Sequence, residues 1–285
     1  MNFKRLLKYT HLSTTALTLI STALLTASFS SSFDLINGYF IDGVLPTLFK
    51  IFFVLGIVIS FLGIFTFHKQ EKIKTENLIS NQKNVFLLIA AVLFLCSVIF
   101  SILVANKNFT ISTIGSVAFA TFILLCCLKE GNSHAKPILL LLSASFPLLM
   151  TIDNNSVVIR HSNSVENMLS SVFSIAFLIY ILYEGKRAFT GEHSKWHFAS
   201  MLLLTHTGFS FSISYIIVYL MGTAAETTRF YQAILILLIS VIAEIELVIF
   251  TNKAYPYLEP ETSDSEAAET AEPQNSIETT EKTDE

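Results

Sequence analysis

Apolar runs of membrane-spanning length, separated by polar connections, recur along the chain as far as residue 250. They lie at 10–29, 45–67, 85–105, 110–128, 137–153, 168–184, 197–220 and 233–250. A helix needs about 20 mostly apolar residues to cross the hydrocarbon of a bilayer. The pattern therefore predicts an all-α fold, a polytopic integral membrane helix bundle of about eight transmembrane helices over residues 1–257. The fifth run is short, with Pro137 at its start and Pro147 inside it. Proline has no N–H to offer the carbonyl of Ser143, so the run predicts a kink or break there.

Composition and charge add an orientation. The chain is 52% hydrophobic and 14% charged, against roughly 25% charged residues in soluble domains. That excludes an ordinary soluble domain. The net charge of -4 averages two unlike regions, because ten acids face one base from Leu258 onward, while 17 bases exceed 12 acids before it. Residues 258–285 lack aromatics and read as a disordered acidic cytoplasmic tail. In the connections, Lys4, Arg5, Lys8, Lys69, Lys72, Lys74, Lys83, Lys129, Lys136, Lys186, Arg187, Lys195, Lys253 and Lys282 fall on one side, and only Lys107, Arg160 and Arg229 on the other. The positive-inside rule then predicts both termini in the cytoplasm, with the plasma membrane as the expected location. An alternative treats the first run as a cleaved signal peptide, which would leave seven spans with the same sidedness.

Several features read as helix packing. Thr15, Thr18, Thr22 and Thr26 line one side of the first run. Ser112, Ser116 and Ala120 form a row of small residues on the fourth, and such rows let helix backbones approach closely in lipid. Cys96, Cys126 and Cys127 fall in apolar runs without zinc spacing and read as small apolar residues. Loop lengths hint at two parallel four-helix halves, though the halves do not align residue by residue.

No G-x-S-x-G, H-E-x-x-H or nucleotide-binding glycine loop is present, so the sequence predicts neither an enzyme nor a bound cofactor or metal. The chemistry-bearing residues are sparse. His206, Ser210 and Ser214 share a face of the seventh run, with His206 roughly 14 Å from its cytoplasmic end at about 1.5 Å per residue. In the last run, Glu244 lies about 9 Å and Glu246 about 6 Å from the end at Phe250, roughly 200° apart around the helix. Depth makes Glu246 interfacial and turns Glu244 toward the bundle, with His206 as its nearest partner and Ser240 one turn away. Glu244, His206, Ser210 and Ser240 are thus the expected intramembrane polar site. Lys50 sits where its stem can lift the ammonium to the headgroups. Tyr180, Tyr183, Glu184, Arg187 and Trp196 read as interfacial anchors and local pairing.

These observations predict a non-enzymatic multi-pass membrane protein acting as a sensor, a scaffold or a subunit of a larger complex. Its expected partners are the lipid bilayer and membrane or cytoplasmic proteins, with no role for nucleic acid. The alternative is a small proton-linked transporter or permease built on Glu244 and His206, with Pro147 breaking one of its helices.

Overall fold

Three helices, at 3–32, 165–190 and 227–253, run well past the apolar runs that predict them, while those at 85–105 and 111–128 keep close to theirs. A computed structural model describes residues 3–34, 39–67, 72–74, 85–105, 111–128, 135–156, 165–190, 192–222 and 227–253. In chain order the helices are α1 (Phe3–Ser32), α2 (Val44–Leu62, continued by a 3-10 turn over Gly63–Phe67), α3 (Val85–Ala105), α4 (Ile111–Leu128), α5 (Ala135–Ser143), α6 (Ser145–Ser156), α7 (Val165–Thr190), α8 (Lys195–Leu220) and α9 (Thr227–Lys253). Hydropathy measures the hydrocarbon slab, whereas a helix can continue beyond it on polar residues such as Glu166 and Lys186. Among the described residues, five helical segments are long and apolar enough to cross a membrane: Leu6–Ser32, Val44–Phe65, Val165–Arg187, Lys195–Leu220 and Arg229–Thr251. Shorter apolar segments cover Val85–Phe100, Ile114–Cys127 and Ala135–Met150. The protein is an α-helical integral membrane protein.

The fifth run is interrupted at Ala144, between α5 and α6. Pro147 cannot serve the Ser143 carbonyl, and the chain resumes as a new helix in which Pro147 stands third. Pro46 and Pro137 also stand third in α2 and α5. At that position the missing N–H would have no intrahelical partner anyway. Local bonds bridge the break: Ala144 N–H donates to Leu140 O and Leu141 O at 3.2 Å, and the Ser145 hydroxyl donates to Leu142 O at 2.7 Å.

Helix α8 occupies the centre and packs on α1, α2, α7 and α9. Its apolar window is 78% buried against 28% for that of α2, so α8 is the core helix and α2 faces outward. On the other side, α3 lies against α9 and α4, α4 against α5 and α6, and these against α7. Helices of the two sequence halves interlock instead of forming separate bundles. The core is rich in phenylalanine, with Phe94, Phe119, Phe173, Phe177, Phe198 and Phe211 fully buried.

Two short ribbons occupy connections that the sequence reading leaves as loops. β1 (Phe33–Asp34) pairs antiparallel with β2 (Tyr39–Phe40), and β3 (Lys72–Lys74) with β4 (Glu192–Ser194). Four residues, 35–38, separate the two strands of the first, and Asn37-Gly38 among them is a turn signal in the sequence. The second joins distant connections and has no local signal. The acidic tail 258–285 and the loop bases Lys69, Lys83, Lys107, Lys129, Arg160 and Lys282 lie outside the described residues.

Candidate functional site

The four residues expected to form one polar site mark three different helix contacts. His206 is fully buried on α8 and turns toward α1 and α2. Its Nε2 is 3.0 Å from Phe53 O, and its Nδ1 is 3.0 Å from the Thr18 hydroxyl. A carbonyl can only accept, so the neutral Nε2–H tautomer fits, with Nδ1 accepting from Thr18. Gly56 makes this possible, because a Cβ there would land on the imidazole ring.

Glu244 does not pair with His206. Its Oε1 lies 2.9 Å from Nε2 of His11 on α1, with side chains 29% and 18% exposed respectively. Depth counted along one helix says nothing about azimuth, and the His206 ring points toward α1 and α2, away from α9. Ser240 is buried elsewhere along α9. Its hydroxyl donates to Ile236 O at 2.8 Å and sits over Gly208, where any Cβ would strike it. Ser210 is buried on α8, and its hydroxyl has no hydrogen-bond partner among the described residues.

The packing expectations fare differently. Thr10, Thr14, Thr15, Thr22 and Thr26 each donate to the carbonyl four residues back, although Thr15 is exposed; the buried Thr18 hydroxyl lies 2.8 Å from Thr14 O, which its single proton serves only when it does not serve His206. The Ser214 hydroxyl reaches across from α8 to Thr22 O at 2.9 Å. Ser116 and Ala120 are buried in α4, as are Cys126 and Cys127, while Cys96 is exposed on α3. Lys50 is exposed. Trp196 is exposed and stacks on Tyr183 with ring centroids 6.4 Å apart.

Glu246 also departs from its expected place. It is 1% exposed, not interfacial, and its Oε2 accepts a short hydrogen bond from the Tyr180 hydroxyl of α7. Here the periodicity of α9 overrides depth. Ile239, Ala243, Glu246 and Phe250 recur at helical spacing and are all buried, so Glu246 lies on the core stripe.

Around Glu246 a cluster of ionisable side chains gathers from three helices at the end of the bundle that carries Lys186 and Lys195. Tyr180, Glu184 and Arg187 follow one another along α7 at helical spacing and are all buried. Arg187 grips Glu184 with two donors: Nε to Oε2 at 2.7 Å, and Nη2 to Oε1 in a shorter contact. His197 enters from the first turn of α8, where the Ser194 side chain caps the helix by accepting from His197 N–H at 3.2 Å. Its Nε2 lies 3.0 Å from Glu184 Oε2, and its ring stacks on Tyr180 with centroids 5.9 Å apart. One ligand atom each from Glu184, His197 and Glu246 falls within 4.8 Å of the others. Two carboxylates and an imidazole form a donor set that can hold a divalent metal ion. Cys126 and the buried Lys136 lie on the same side, with Cys126 in electrostatic range of Lys136, Arg187 and Glu246.

The sequence reading treats Tyr180, Glu184 and Arg187 as interfacial, and it passes over His197. The ligand atoms come from positions 184, 197 and 246, which no local spacing rule connects. At the opposite end, α7 and α9 are clasped again. Arg229 donates to Gln232 Oε1 at 2.9 Å and, more closely, to Asn167 Oδ1, and Gln232 Nε2 donates to Ser170 Oγ at 3.2 Å. The chain matches no protein-family model, no curated protein sequence and no solved structure.

Proposed function

We propose that the protein is a non-enzymatic eight-span protein of the plasma membrane, with both termini in the cytoplasm, acting as a sensor or regulatory subunit through the inner ends of α7, α8 and α9. The observation that supports this reading is the buried cluster of Tyr180, Glu184, Arg187, His197 and Glu246. Ionisable groups removed from water inside a membrane bundle are costly to keep and mark working sites more often than packing sites. The cluster joins three helices close to their ends, so a change in its protonation or ligation alters how those ends are held together. The β3–β4 ribbon attaches a second cytoplasmic connection to the start of α8, giving such a change a route to the surface.

The test is a distance measurement. Spin labels at Lys186 and Val248, both exposed, report the separation of the inner ends of α7 and α9 in a cysteine-free background. Sensing requires two distance populations whose ratio shifts with pH or added ions and stops shifting in Glu246→Gln. A single distance that never moves would overturn the reading. Sidedness is checked separately: cysteines at Asn37 and Asn163 should react with impermeant reagent from outside sealed cells, and cysteines at Ser80 and Ser194 should not.

A proton-linked transporter is the second reading. The partly exposed Glu244–His11 pair is what favours it, as an ionisable pair joining two apolar helices. The original pairing of Glu244 with His206 lends it no support, because each has another partner. Proton uptake by protein-loaded vesicles under a pH gradient, lost in Glu244→Gln, would favour transport over sensing.

A further inference from the structure

The donor set in the inner cluster has the composition and approximate size of a metal-binding site. Zinc and manganese accept imidazole nitrogen and carboxylate oxygen together, at about 2.0–2.2 Å for zinc. Bonds of that length place tetrahedral ligand atoms roughly 3.4 Å apart. His197 Nε2 and Glu184 Oε2 are 3.0 Å apart, and the full set spans no more than 4.8 Å. The widest gap involves Glu246, and modest rotation of that side chain would close it.

The surroundings are those of a supported site. Metal-binding carboxylates are oriented by further hydrogen bonds, and losing one such bond typically weakens binding about 10–100-fold. Arg187 fixes Glu184 through both oxygens, and Tyr180 holds Glu246 through Oε2, leaving Oε1 without that bond. Tyr180 also stacks on the His197 ring and restrains its plane. The three ligands sit on three helices, so an ion would tie α7, α8 and α9 together at one point.

We infer that Glu184, His197 and Glu246 bind one divalent first-row transition-metal ion, zinc or manganese, with Tyr180 and Arg187 positioning the carboxylates. This builds on the reading of the cluster as the working site and names the ligand that it senses.

The test uses full-length protein in detergent, free of any polyhistidine tag. Elemental analysis after purification, and again after chelator treatment and re-addition of zinc or manganese chloride, should return about one ion per chain. Thermal unfolding should shift upward with either ion and not with equimolar magnesium. Glu246→Gln, which keeps side-chain shape, and His197→Gln, which replaces the ring with a neutral amide, should lose the bound ion. Tyr180→Phe should retain it with affinity about 10–100-fold weaker. Wild-type protein that neither retains nor takes up zinc or manganese overturns the inference. So does binding that survives undiminished in Glu246→Gln and His197→Gln, or an equal response to magnesium. Should metal fail while the α7–α9 distance still follows pH, the sensing reading stands without it. Bound metal with an immobile distance would instead make the site structural and sink the sensing reading.

Discussion

Two histidines on the same helix, His197 in the first turn of α8 and His206 near its middle, are both removed from water, yet their surroundings have little in common. His206 is held by neutral groups, a threonine hydroxyl and a backbone carbonyl, in a notch that Gly56 leaves open. Every polar atom of its ring is matched, and its work is to seat α8 on α1 and α2. His197 stands among two carboxylates, a guanidinium and a phenol, where moving one proton or adding one ion changes the balance of the whole group. Burial is nearly equal in the two places and therefore cannot tell packing from function. The kind of partner does: neutral partners fix a structure, and charged partners leave it open to change.

The largest expected effect separates the two environments. Glu184→Leu leaves Arg187 buried without its carboxylate and should cost about 3–5 kcal/mol, as for other broken buried ion pairs. His206→Leu removes neutral hydrogen bonds and should cost about 1–3 kcal/mol. Unfolding titrations in mixed micelles measure both, and a His206 variant as damaging as the Glu184 variant would erase the distinction. Next comes the notch itself. Gly56→Ala drives a methyl group into the imidazole and should destabilise by about 1–3 kcal/mol. In the Gly56→Ala/His206→Ala double variant the two costs should fall well short of their sum, because the clash needs the ring. A full sum would mean that α2 and α8 do not meet at His206.

A similar pair lies on the other face of α8. Gly208→Ala collides with the Ser240 hydroxyl, and Ser240→Ala should recover part of the loss. Recovery should stop short of complete, since Phe173 also crowds that position. The smallest effect belongs to Glu244. Its pair with His11 is partly solvated, so Glu244→Gln should change stability by less than about 1 kcal/mol. A loss larger than that in the same titration would place Glu244 deeper than its 29% exposure indicates.

What the sequence discloses here follows from which physical signal each feature leaves. The helices are legible because lipid demands long apolar segments, and the interruption before Pro147 is legible because the missing donor is local. Depth along one helix is a count of residues, but it does not level two helices: the α1 partners of Glu244 and His206, His11 and Thr18, stand seven residues apart, about 10 Å at 1.5 Å per residue. Azimuth is harder. Glu246 could have been assigned to the core from its spacing to Ile239, Ala243 and Phe250, but in a helix apolar on nearly every side that stripe has little contrast. The assembly of Glu184, His197 and Glu246 was beyond reach, because it depends on which helices adjoin. No periodicity within one segment records that α7 and α9 both flank α8.

The placement of His206 also has consequences for biogenesis. Its two partners, Thr18 and Phe53, precede it by 188 and 153 residues. At synthesis rates of about 5–20 residues per second, α1 waits on the order of ten to forty seconds before α8 leaves the ribosome. Throughout that interval α1 must reside in the membrane with its threonine stripe lacking the helix it will pack on. Its hydroxyls are already engaged with α1's own carbonyls, Thr14 to Thr10, Thr18 to Thr14, Thr22 to Thr18 and Thr26 to Thr22. The helix can therefore be released into lipid early without exposing unmatched donors. The Gly56 notch can receive its imidazole only once α8 has been made, so the docking of α8 on α1 and α2 comes late in assembly.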